Sequence, residues 1–167
     1  MDEEKRKEYL KKLIEEQSSI DLVYKEEIYK FIHCCFEVHK GLGRGFREKI
    51  YISALKLELK QNGIPFVCEK KFSIRYKGVL LPHTYYCDLI IYDKIVVEVK
   101  AQENLIGSNY KQLINYLAVT KLKLGVLVNF GGDSLTFRRV VLWCKIHLSF
   151  HKPIRDHSCN LLIRPII

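Results

Sequence analysis

Asp88, Glu98 and Lys100 put three charges into a stretch that otherwise has the residue types of a sheet interior. Residues 84–100 are dense in β-branched and aromatic side chains and read as two strands joined at Tyr92-Asp93-Lys94. Glu98 and Lys100 are two apart, so on a strand they share a face. With residues 92–94 as the loop, Asp88 falls directly opposite Glu98. The other face then carries Cys87, Leu89, Ile91, Ile95, Val97 and Val99, an unbroken apolar surface for a core. Two carboxylates and an ammonium beside such a core are costly to desolvate, and a divalent cation is the usual compensation. The plainer reading of the same residues is a cross-strand salt bridge on a surface hairpin.

Two further pairs belong with these charges. Glu48 stands three residues before Tyr51 on an expected helix, in the frame Gly45-Phe-Arg-Glu48-Lys-Ile-Tyr51, with the glycine where the chain turns into the helix. Gln112 and Tyr116 form an i, i+4 pair on a later helix, on a more polar face than the one bearing Leu113 and Leu117. Either tyrosine also fits simple core packing with its hydroxyl at the edge.

The elements that must position these groups follow from periodicity and breakers. Residues 2–18 are a charged segment with a thin apolar stripe, and Ser18, Ser19 and Asp21 interrupt it. Helical spacing of apolar residues predicts a buried helix over 24–40, broken by Gly41-Leu-Gly-Arg-Gly45, and another over 46–61, ended by Asn62-Gly63. A strand over 65–76 turns at Lys77-Gly78, and Val79-Leu80-Leu81 begins the return before Pro82. The charged hairpin follows. Gly107-Ser108-Asn109 can cap a helix over 110–121, and strands close the core at 124–130 and 135–142. The order predicts an α/β fold: a mixed sheet flanked by helices, with an extra N-terminal helix. Residues 1–20 are that helix, 21–142 the domain, and 143–167 an extension of unassigned role.

In joint order these residues resemble a known superfamily. Asp88 followed by Glu98-Val-Lys100 is similar to the active-site signature of the PD-(D/E)xK nucleases, and Gln112-Leu-Ile-Asn-Tyr116 to the QxxxY motif of one of its branches. Gly45, Glu48 and Tyr51 resemble the pattern that names the GxxExxY family, a prokaryotic group within it. Glu37-Val-His39, the Gly78 turn and Val128-Asn-Phe-Gly131 look like the same group. The resemblance implies a restriction-endonuclease-like core. It also implies that Glu48, Asp88 and Glu98, with the Val99 carbonyl, hold Mg²⁺ or Mn²⁺. Lys100 would orient or help deprotonate the attacking water and stabilise the transition state. Gln112 and Tyr116 would hold the lysine or a phosphate oxygen by hydrogen bonds. The implied reaction is phosphodiester hydrolysis, in DNA. Tyr86 departs from the pattern, standing two before the acid where a basic residue is expected, and Cys87 takes the place of a proline.

Composition agrees with a nucleic-acid partner. The 167-residue chain carries a formal charge of +9, and since residues 1–18 hold six acids and five bases, the rest carries +10. No run is long and apolar enough for a membrane span. The acidic opening Met-Asp-Glu-Glu is unlike a secretory signal, and adjacent Cys34 and Cys35 suit reduced thiols, so a cytoplasmic protein is expected. A basic domain of this size is suited to dimerise across a duplex. The Cys144, His147, His151, His157 and Cys159 spacings match no compact zinc site, and the apolar run 161–167 would pack on the sheet or fray. A module that binds nucleic acid or a partner without cutting is the alternative to a nuclease. A zinc-binding regulator is a third.

Overall fold

A computed structural model describes residues 24–143 and 160–165. The expected helix over 2–18 and the Cys/His residues of 144–159 lie outside the described residues. The elements are helices α1 (Lys25–Leu42) and α2 (Glu48–Gln61), strands β1 (Phe66–Tyr76), β2 (Val79–Ile91) and β3 (Ile95–Lys100), helix α3 (Gly107–Thr120), and strands β4 (Leu124–Asn129), β5 (Thr136–Trp143) and β6 (Asn160–Pro165). The six strands form one sheet in sequence order, with β3 and β4 parallel and all other neighbours antiparallel. Such a parallel pair needs a crossover, and α3 supplies it.

Helices cover both faces of the sheet. On one, Phe31, Cys35 and Val38 of α1 and Tyr51, Leu55 and Leu59 of α2 pack against Leu89, Val97, Val126 and Val128. On the other, Leu113, Tyr116 and Leu117 of α3 pack against Ile90, Val96, Leu127 and Val140. Every residue of β3 and β4 is therefore buried, as expected of central strands between two helical layers. The fold is a mixed-sheet α/β architecture of the restriction-endonuclease-like kind. Among the described residues no helix is long and apolar enough to cross a membrane, and Cys34, Cys35, Cys68 and Cys87 are free thiols.

Several sequence expectations are corrected. β2 runs unbroken through Pro82, because the ladder shifts between Ser73 paired with Thr84 and Arg75 paired with Leu80. Pro82 falls in that irregularity, where no ladder N–H is required of it. Helix α3 starts at Gly107 rather than Tyr110. The Asn109 carboxamide accepts the Ile106 N–H at 2.8 Å and so fixes the helix entry. Residues 160–165 form β6 against β5.

The largest correction concerns the faces of β2. Cys87 packs with the α3 cluster, whereas Leu89 and Ile91 pack with α1 and α2. A regular strand would keep all three on one side. The break lies at Asp88: Cys68 pairs with Leu89 and Lys70 with Cys87, but Glu69, between them, takes a positive φ of 48°. The ribbon twists there, and its faces exchange roles.

Candidate active site

Asp88 sits where the β2–β3 ladder opens. The pairs Leu89–Val97, Ile90–Val96 and Ile91–Ile95 give the register expected from the sequence. Tyr92 and Asp93 (φ 53° and 55°) make the tight turn that sets it. One position further on, Asp88 and Glu98 would face each other, but the ladder stops short of them. The Asp88 carboxylate takes the place of a backbone partner, its Oδ2 accepting the Val99 N–H at 2.8 Å. A strand residue sends its N–H and C=O to the same edge, so the Val99 carbonyl faces the same opening.

Glu98 and Lys100 end β3 on the face that α3 covers, and this is why they are buried rather than solvated as in an exposed hairpin. Glu98 is 1% exposed and Lys100 8%. Lys100 Nζ donates to Glu98 Oε1 at 2.8 Å and lies 4.0 Å from Glu48 Oε1. Glu48 reaches it from the first residue of α2, where a carboxylate also suits the helix dipole. The Glu48 side chain remains about half exposed (46%), so the site is closed on the Glu98 side and open on the Glu48 side. The other Glu98 oxygen, Oε2, is buried with no hydrogen-bond partner.

These placements set the charge states. Burial pushes the Glu98 carboxyl up to about 7, aided by the Asp88 charge and opposed by Lys100. Burial also raises Asp88, against the Val99 N–H and Lys100. For Lys100, burial alone would favour the neutral amine. The hydrogen bond to Glu98 and the charges of Glu98, Glu48 and Asp88 outweigh it, holding the ammonium above its usual range.

The sign of the Glu98 shift gives a stability prediction. Between the ordinary value of 4.5 and about 7, the folded metal-free chain holds a proton that the unfolded chain has released. Stability therefore falls as pH rises through that window, by at most about 3 kcal/mol. Urea melts at successive pH values in EDTA should show this decline. Glu98→Gln should remove most of it, and an equal slope in that variant would contradict the assignment.

Gly45 and Tyr51 shape the entrance to α2. Gly45 has a φ of 105°, which other residues rarely adopt. Tyr51 is fully buried, stacked on Phe130 at 4.6 Å between ring centres. Its hydroxyl donates to the Gly43 carbonyl at 2.8 Å and accepts the Phe46 N–H at 3.3 Å. It ties down the loop from which Glu48 projects. Tyr51→Phe should cost about 1–2 kcal/mol by leaving the Gly43 carbonyl unpartnered, measurable as a lower denaturation midpoint.

Gln112 and Tyr116 form a relay to β2. Gln112 Nε2 donates to the Tyr116 hydroxyl at 3.1 Å, which donates to the Tyr86 carbonyl at 2.7 Å. The pair anchors α3 to the strand two residues before Asp88, and neither side chain is hydrogen-bonded to Lys100. Sequence reasoning missed Asn129 as a clamp on the segment leaving the site. Its Oδ1 accepts the Gln102 N–H at 3.0 Å, and its Nδ2 donates to the Gln102 carbonyl at 2.7 Å. The signals available were an amide ending an apolar strand, two residues before Gly131, and the likeness of Val128-Asn-Phe-Gly131 to the family.

The family model of the PD-(D/E)XK nuclease superfamily matches residues 25–140, and the chain belongs to that superfamily. No curated protein matches the sequence. Among solved structures, the crystal structure of SSO0001 is similar at 26% identity over 55% of this chain and 48% of that one, with a TM-score of 0.45. The chain thus spans about half of that protein's length.

Nucleases of this superfamily generally use divalent metals. Among the described residues no three His, Cys, Asp or Glu side chains are arranged to hold an ion, and the positive charge amid the carboxylates is the Lys100 ammonium. The donor chemistry nonetheless fits a hard cation: Glu98 Oε2 is a buried, unpartnered carboxylate oxygen, and Asp88 and Glu48 interact electrostatically with Glu98.

Proposed function

We infer that the chain is a metal-dependent nuclease of the GxxExxY kind, hydrolysing phosphodiester bonds in DNA. The observation that carries this reading is a buried ammonium, Lys100, held between Glu98 and Glu48 beside the opening where Asp88 replaces a strand pairing. A structural salt bridge needs one carboxylate, and here three interact electrostatically with one lysine. The formal charge of +9 supports a polyanionic substrate. The free thiols suit a cytoplasmic setting.

Glu48, Asp88 and Glu98, with the Val99 carbonyl, would hold Mg²⁺ or Mn²⁺. Such an ion supplies an acidified water and charge neutralisation at the phosphate. Lys100, beside these carboxylates, would orient or help deprotonate the attacking water and donate a hydrogen bond to charge developing on the phosphate oxygens. Asp88 holds the end of β3 through the Val99 amide. Gln112 and Tyr116 keep β2 in place through the Tyr86 carbonyl, and Gly45 and Tyr51 set the start of α2 so that Glu48 faces Lys100.

Divalent-metal titration against linear, circular, single-stranded and branched DNA tests the reading. Cleavage that appears with Mg²⁺ or Mn²⁺ and is lost in Asp88→Asn supports it. That variant keeps an acceptor for the Val99 N–H and loses only charge. Equal cleavage by the variant would mean a contaminating enzyme. Salt-dependent binding without cleavage on any substrate would instead favour a non-cutting DNA-binding module.

A further inference from the structure

The β1–β2 ribbon runs on beyond Asp88 to the turn at Lys77-Gly78. Phe72 and Tyr85, a cross-strand pair, pack on the α3 cluster, so the pair beside them, Lys71 and Tyr86, faces the other way. Lys71 is exposed and Tyr86 is 53% exposed. Every residue from 75 to 80 is exposed, including Tyr76 (62%) and Val79 (66%).

The charge on this ribbon has one sign. Residues 70–87 contain Lys70, Lys71, Arg75 and Lys77 and no Asp or Glu. Among the described residues none of these four makes an ion pair. Lys70 and Lys77 instead lie over the rings of Phe72 and Tyr76, at 5.7 and 5.5 Å. Arg75 donates to the Gly78 carbonyl at 3.3 Å, bracing the turn. An uncompensated row of cations on an exposed strand repels itself unless an anion covers it. A two-stranded ribbon is also of a width that the major groove of a duplex admits.

We propose that the β1–β2 ribbon is a duplex-gripping arm. Its basic side chains hold the phosphates of double-stranded DNA and its strand leads that DNA to Asp88. The destination, though not the grip, rests on the nuclease reading. Lys70, across from Cys87, is the cation of the arm nearest the site along the strands, and Lys71, across from Tyr86, is the next. The exposed apolar tip at Tyr76 and Val79 would lie against sugars and base edges rather than phosphates.

The test is fluorescence anisotropy of a labelled duplex titrated with the whole chain in EDTA, at several salt concentrations. Lys71→Gln/Lys77→Gln should lower the slope of log affinity against log salt by about 1.8, at 0.9 per phosphate contact, and weaken binding about tenfold at moderate salt. Its melting temperature should match the parent's. Lys71→Arg/Lys77→Arg should keep the parent slope. An unchanged slope and affinity in the glutamine variant would overturn the arm, as would an equal loss in the arginine variant. If the parent grips duplex with the expected slope but cuts nothing with Mg²⁺, the nuclease reading fails and the arm stands. If the parent cuts and the glutamine variant binds as well as it does, the arm fails and the nuclease reading stands.

Discussion

On the proposed nuclease reading, Lys100→Met should reduce DNA cleavage by about 10²-fold or more, the scale of losing one charge-stabilising donor. Its effect on stability should depend on pH. Lys100 is the hydrogen-bond partner of a carboxylate that is 1% exposed, and removing one member of a buried pair ordinarily costs about 3–5 kcal/mol. Glu98 can escape part of that cost. Its carboxyl already stands at about 7, and without the ammonium it would rise further and hold a proton at neutral pH. The variant should therefore lie close to the parent in mild acid and fall away as pH rises above neutrality. Adding Glu98→Gln should restore stability at high pH and leave cleavage absent. Recovery of cleavage in the double variant would show that the lysine serves only to neutralise Glu98.

Gly131→Ala should be the most damaging of the glycine-to-alanine substitutions. A methyl group there would collide with both the backbone N and the O of Gln102. Those are the groups that Asn129 holds in the segment directly after Lys100. Neither is a side chain that can swing aside, so β4's end and the post-β3 segment must separate. A loss of about 3–5 kcal/mol is expected, at the upper end for a point change. Gly132→Ala is the internal control: its nearest atom is the Ser134 carbonyl at 3.1 Å, and a displacement of a few tenths of an ångström accommodates it. Denaturant midpoints of the two variants should differ widely. If they coincide, the close approach at Gly131 is not what joins the two segments.

Much of the architecture was legible because periodicity and breakers are local properties. The apolar spacing of Ile28, Phe31, Ile32, Cys35 and Val38 predicted α1, and the register of the β2–β3 hairpin followed from its loop length. The breaks in local rule were not legible. Pro82 argued for a strand end, yet the ladder shift absorbs it. Alternation put Cys87 beside Leu89, yet the positive φ at Glu69 marks a twist that sends them to opposite layers. Glu69 is not a residue whose type announces that conformation.

The candidate site divides in the same way. Residue identities and spacings alone singled out the candidate side chains: Glu48, Asp88, Glu98 and Lys100, with Gln112 and Tyr116 as a helical pair. Only the tertiary structure decided their environment. A second helical layer covers the face that a lone hairpin would leave in water, so Glu98 and Lys100 are buried and their proton affinities move. The packing of α3 also turned Tyr116 toward the Tyr86 carbonyl, and the opening of the ladder set Asp88 on the Val99 amide. Burial and pairing depend on what distant segments bring to one place, and no spacing along the chain encodes that directly.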